Sequence, residues 1–182
     1  MKRILIAAAA CALLAAPASA QSMKDRAKSA AEKTGIASPL GISPPTQDFV
    51  SKAAISDMFE IQSSQLAQDK ADAESKAFAS HMVQDHIKTS NELKSLVQSG
   101  KVKAELPTAL DSSHQRKLDK LKSLSGKDFD MNYDSMQKSA HKDAVSLFER
   151  YSKNGDNPEL KAWAAKTLPD LKKHLDMAQK LK

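Results

Sequence analysis

Cysteine is nearly absent from this chain. Its one cysteine, Cys11, lies inside an apolar run near the start. The rest of the chain therefore has no disulfide framework and no thiolate metal site. Any catalysis or metal binding there falls to His, Asp, Glu, Tyr or hydroxyl side chains. Aromatic residues make up 4% of the chain, which leaves alanine and leucine to fill most apolar positions, as in a helix bundle. The motifs of hydrolases are missing too. There is no Gly-x-Ser-x-Gly, no His-Glu-x-x-His and no glycine-rich phosphate loop. No catalytic residue is assigned, and an enzyme is the less expected reading. The longest apolar run, Ile4–Ala16, is too short to span a membrane.

That run has a different reading. Lys2-Arg3 form a basic start, Ile4 to Ala16 an apolar centre, and Ala18-Ser19-Ala20 a small-residue cleavage site. Residues 1–20 are expected to be a secretory signal peptide cut after Ala20, which places the product in the periplasm or outside the cell. Cys11 is a poor lipidation site, because Ala8-Ala9-Ala10 precedes it where a leucine-type residue is usual. Cleavage would leave 162 of the 182 residues, enough for one domain with a real core. It would also lower the formal charge from +6 to +4 by removing Lys2 and Arg3. A modest excess spread along the chain does not point to nucleic acid. No transmembrane segment is expected after cleavage. The partners that fit are an envelope component or a second copy of the chain.

Residues 21–45 are polar, carry Pro39, Pro44 and Pro45, and read as a tether. A helical domain is expected over 46–182. Thr46 or Asp48 can cap a first helix with Phe49, Val50, Ala53, Ala54, Met58, Ile61 and Leu66 on its apolar side. Asp72 caps a second, expected from Ala73 to Ser99 and stopped by Gly100. Ser112-x-x-Gln115 resembles a capping box for a short crossover helix ending at Leu124. A third long helix runs from near Asp128 to Asn154-Gly155. Asn157-Pro158 opens the fourth, in which Pro169 predicts a kink, or a break with Thr167 capping the restart. The crossover is long enough to make the second and third long helices parallel. The fold class is all-α, a four-helix bundle.

Each long helix carries one group suited to metal binding. Glu60 shares its stripe with small residues, which leaves room to reach across a bundle; the alternative is an ordinary exposed glutamate. His86 follows the Phe78, Met82, Thr89, Leu93 spacing of an inward face. His141 is on the flank of its helix, with Asp134 and Glu149 within reach as orienting acids. His174 lies between Leu171 and Ala178. Asp85 and Asp170 are candidate orienters of the imidazoles. His81 reads as surface, and Asp111-x-x-His114 as a helix start. Three imidazoles and a carboxylate suit one divalent ion, Zn, Fe or Cu. The competing reading is a polar network that fixes helix register and holds no metal.

The chain also resembles the DUF4142 family of exported bacterial proteins. The resemblance covers Asp48 to about Leu181. It rests on Phe49-x3-Ala53-x6-Glu60, Phe78-Ala-x2-Met82-Val-x-Asp85-His86, Leu124-Ser-Gly126-x2-Phe129-Asp130-x2-Tyr133, His141, and Leu168-Pro169-x-Leu171-x2-His174-Leu175. It implies a ferritin-like four-helix bundle in the cell envelope and no established activity. Ferritin-like bundles often hold two irons with a Glu-x-x-His motif in each half. No such motif occurs here, so the bridging carboxylates of a di-iron oxidase are missing. Metal handling or stress protection in the envelope is the expected role; the alternative is a non-catalytic interaction module.

Overall fold

The computed structural model describes residues 41–181. The expected signal peptide and most of the expected tether lie outside that range. Five helices and no strand occur among the described residues: α1 (Thr46–Lys70), α2 (Ala73–Gln98), α3 (Ser112–Ser123), α4 (Gly126–Asn154) and α5 (Pro158–Lys180). No described helix is long and apolar enough to cross a membrane.

The helix ends follow from local chemistry. Asp72 Oδ1 accepts from the Ser75 amide at 2.8 Å and opens α2. Gly100 takes φ 75° just past its end, a backbone angle that side chains disfavour. Asn157 Oδ1 accepts from the Leu160 amide at 2.9 Å, with Pro158 as the first helical residue of α5. Two expected caps differ. Pro45, not Thr46, precedes α1, because the Thr46 hydroxyl is engaged by Tyr151 and Asp156, both at 2.7 Å. Asp111, not Ser112, caps α3 by accepting from the His114 amide at 2.8 Å. That contact explains the Asp111–His114 spacing without a metal.

α5 does not break at Pro169; it is one helix from Pro158 to Lys180. Proline deprives the Ala165 carbonyl of its usual donor. Ala165 and Pro169 are both exposed, so the lost bond falls on the solvated side. Thr167 caps nothing. Its hydroxyl donates to the Trp163 carbonyl at 2.9 Å.

α1 packs on α2 and α4 on α5, and the two hairpins pack together through α1 with α4 and α2 with α5. The residues that meet at each end give the directions. At one end Phe49 and Val50 of α1 cluster with Leu93 of α2, Leu147, Phe148 and Tyr151 of α4, and Leu160 and Trp163 of α5. At the other, Ala67 joins Phe78, Met82, Phe129, Tyr133 and Ala178. The first end therefore gathers the starts of α1 and α5 and the ends of α2 and α4. So α2 and α4 run parallel, as the long crossover allows. α3, within that crossover, lies against α1 and buries Leu118 and Leu121.

The middle of the bundle is not apolar. The apolar stripe expected on α1 gives way there: Asp57, Glu60, Ser63 and Ser64 are buried, whereas Met58, Ile61 and Leu66 are only partly so. The two apolar clusters are thus separated by a polar layer, to which α2 adds His86, α4 adds Gln137 and His141, and α5 adds Thr167 and His174.

Candidate metal centre

The level of this layer is set by hairpin geometry. Asp57 is fourteen residues before Ala71 and His86 fourteen after Asp72. At 1.5 Å per residue both lie about 21 Å from the turn, so they face each other. On α4 and α5, His141 lies between the buried residues Tyr133 and Ala144, and His174 between Leu171 and Ala178. Each pair of neighbours has one member in each apolar cluster, which puts both histidines at the boundary layer.

Three of the four candidate groups converge. One ring nitrogen from each of His86, His141 and His174 lies within 4.8 Å of the others. The ring centroids form a near-equilateral triangle with sides of 5.6, 5.5 and 5.5 Å. All three rings are buried, 3, 1 and 4% exposed. His141, expected on a flank, is thus among the most buried of them.

Each imidazole is used in the same way. One nitrogen is held by an acceptor: His86 Nδ1 by Asp57 Oδ1 at 2.8 Å, His141 Nδ1 by the Gln137 carbonyl at 2.9 Å, and His174 Nε2 by Asp85 Oδ2 at 2.9 Å. The other nitrogen, Nε2 of His86 and His141 and Nδ1 of His174, is buried without a hydrogen-bond partner in the protein. A carbonyl can only accept, so Nδ1 of His141 carries its proton. Nε2 of neutral His141 then carries a lone pair. The carboxylates impose the same polarity on the other two rings. Buried polar atoms left unpartnered cost about 1–3 kcal/mol each, so three in one layer need a reason.

Glu60 is the fourth candidate. It is 1% exposed, and neither carboxylate oxygen has a partner in the protein. Gln137 lies alongside, but its amide nitrogen donates to Ser63 Oγ at 3.2 Å. Glu60 falls outside the 4.8 Å group yet is close enough to His86 for each to move the other's ionisation. Burial pushes its carboxyl up to about 7, against the positive charge of His86 and the Gln137 amide.

The imidazoles are not equivalent. Burial, with the neighbouring His86 and His174, pushes His141 down to about 3 and keeps it neutral. Burial also lowers His174, and Asp85 only partly offsets it. Burial opposes the charged form of His86 as well. Its hydrogen bond to Asp57, with the charges of Asp57, Glu60 and Asp85, outweighs that and holds its pKa above the ordinary value. A proton in this layer is thus held best by His86 and Glu60.

Of the two candidate orienters, Asp85 contacts an imidazole and Asp170 does not. Asp85 orients His174, not the adjacent His86, because neighbouring residues on a helix point about 100° apart. Asp170 is exposed and pairs with Lys173 at 2.9 Å, leaving His174 to Asp85. Asp134 accepts from Ser75 Oγ and Glu149 pairs with Lys172, so neither serves His141. Asp57 was not a candidate. It could have been found, since Ala53, Asp57, Glu60 and Ser64 follow steps of four, three and four on one face.

No curated protein and no solved structure matches the chain. A family model does, over a stretch that begins well before the Asp48 where the motif resemblance starts. The model is that of the domain of unknown function DUF4142; it matches residues 16–181, nearly the whole chain, and the chain belongs to that family.

Proposed function

We propose that this chain is an exported, ferritin-like four-helix-bundle protein that holds one divalent transition-metal ion in its interior, for metal buffering or protection in the cell envelope. The observation that carries the reading is the shared arrangement of His86, His141 and His174. In each ring one nitrogen is fixed by an acceptor, and the other is buried and unpartnered. Metal-binding histidines are typically oriented in this way, by a carboxylate or carbonyl on the outer nitrogen. The three imidazoles would hold the ion, and Glu60 would supply the negative charge or a fourth oxygen ligand. Neutral imidazole with one carboxylate suits Zn, Cu or Fe. Ligands on a tetrahedral zinc at 2.0–2.1 Å stand about 3.4 Å apart, a spacing compatible with ring nitrogens that lie within 4.8 Å of one another. Export rests on the leader features of residues 1–20.

Binding fits the surroundings better than turnover. The cleft beside His86 and His174 has a volume of about 40 Å³, room for a water or an ion and not for an organic substrate. The test is metal content. The protein is purified without a histidine tag or chelating resin and assayed by inductively coupled plasma mass spectrometry, before and after incubation with Zn, Fe and Cu. Near one equivalent, retained through gel filtration, is expected. A protein that takes up none of the three would leave the layer as a register-fixing polar network and sink the proposal.

Asp57 provides a graded check. It fixes His86 and also accepts from Ser90 Oγ at 3.2 Å. Asp57→Asn keeps the volume and an acceptor oxygen but loses the charge. Its Zn affinity, measured by chelator competition, should fall about 10–100-fold, the usual effect of losing an orienting partner. Unchanged affinity would detach Asp57 from the centre.

A further inference from the structure

His174 belongs to a second cluster besides the interior one, and that cluster includes His81, which has no part in the interior site. His81 and Asp85, one turn apart on α2, meet His174 on the side facing solvent. His81 Nε2 is 3.3 Å from Asp85 Oδ2, and the same oxygen is 2.9 Å from His174 Nε2. One donor atom from each of the three lies within 4.8 Å of the others, and the His81 and His174 rings are 5.6 Å apart. The side chains of His81 and Asp85 are 48 and 38% exposed, whereas that of His174 is 5% exposed. The cluster is therefore open outside and closed inside.

We propose that His81, Asp85 and His174 form a second, weaker divalent-metal site at the surface, which captures the ion and loads the interior site. Two imidazoles crowd one carboxylate oxygen. A divalent cation among the three satisfies both nitrogens and the oxygen together, where a single proton serves one pair. Donors at i and i+4 on one helical face are a chelating arrangement, and α5 supplies the third. The connection inward is His174 itself. Its Nε2 belongs to the outer cluster, while its Nδ1 is buried and unpartnered. The small cleft touches Asp85 and His174 of the outer cluster and also His86 of the inner one, so an ion held outside is a short step from the interior. The outer site is the weaker because two of its donors stay hydrated and because binding there releases the Nε2 proton of His174 to solvent and displaces its hydrogen bond to Asp85, so that with both sites filled His174 is a bridging imidazolate.

The loading role rests on the interior site proposed above; capture at the surface does not. The test is Zn2+ titration of the metal-free protein against a chromogenic chelator, with stopped-flow uptake rates. The parent should bind two equivalents, one tight and one at least tenfold weaker. His81→Ala changes only an exposed side chain. It should lose the weak equivalent, keep the tight one, and load it at least tenfold more slowly. His141→Ala should do the reverse, losing the tight equivalent and keeping the weak. One equivalent only in the parent, or an unchanged rate and stoichiometry in His81→Ala, overturns the proposal. A parent with just a weak equivalent, abolished in His81→Ala, establishes surface capture and overturns both loading and the interior site.

Discussion

Zn2+ at saturation of the tight site should raise the melting temperature of the parent protein by about 10 °C and that of His141→Ala, which keeps only the weaker outer site, by much less. An ion that binds only the folded chain stabilises it by about 4 kcal/mol at a thousandfold excess over its Kd. In a domain of this size each kcal/mol moves the midpoint by about 2–4 °C. His141 is the cleanest ring to delete, because its one hydrogen bond goes to a carbonyl of its own helix, on Gln137. His86→Ala would also take a partner from Asp57, and His174→Ala one from Asp85. Removing a ring at 1% exposure also leaves a void, so metal-free His141→Ala will melt below the parent. The quantity that decides is the shift on adding metal, measured within each protein by differential scanning calorimetry. Equal shifts in the two proteins would show that Zn2+ acts elsewhere. No shift in the parent would remove the interior site.

The fold was legible in the sequence wherever a single residue type imposes a local rule. Asp72, Gly100 and Asn157-Pro158 marked helix ends correctly because each acts on its own backbone. Thr46 and Ser112 misled because competing partners decide their roles: Tyr151 and Asp156 claim Thr46, and the adjacent Asp111 takes the cap. The convergence of His86, His141 and His174 was partly legible, since three- and four-residue spacing assigns faces. Height along the bundle was not. It depends on turn lengths and on the parallel run of α2 and α4, which place residues far apart in sequence at one level. Partners across helices were the least legible. Asp85 adjoins His86 in sequence but serves His174, and Asp57 reaches His86 from a different helix. Hydrophobic patterning hid Asp57, because on α1 the core face itself turns polar.

That polar face gives Glu60 opposite effects with and without metal. In the metal-free fold its carboxyl titrates at about 7, against an ordinary 4.5, chiefly because it is buried. The fold therefore holds this proton more tightly than the unfolded chain does. Below 4.5 both states are protonated and the ionisation of Glu60 adds no penalty. Between 4.5 and 7 the unfolded chain ionises first, so stability falls as pH rises. Above 7 the penalty is complete, about 3 kcal/mol for a pKa gap of this size. Glu60→Gln keeps the shape and cannot ionise. By urea denaturation of the metal-free proteins, the variant should match the parent near pH 4 and exceed its stability by about 3 kcal/mol at pH 8.5. Zn2+ affinity should move the other way. At pH 8.5 the parent's carboxylate is ionised within electrostatic reach of His86, and its loss should weaken binding at least tenfold. The residue that destabilises the metal-free bundle is then the one whose charge favours the cation. A stability difference that stays constant from pH 4 to 8.5 would show that Glu60 does not ionise against its burial. Unchanged Zn2+ affinity would leave the three imidazoles to hold the ion alone.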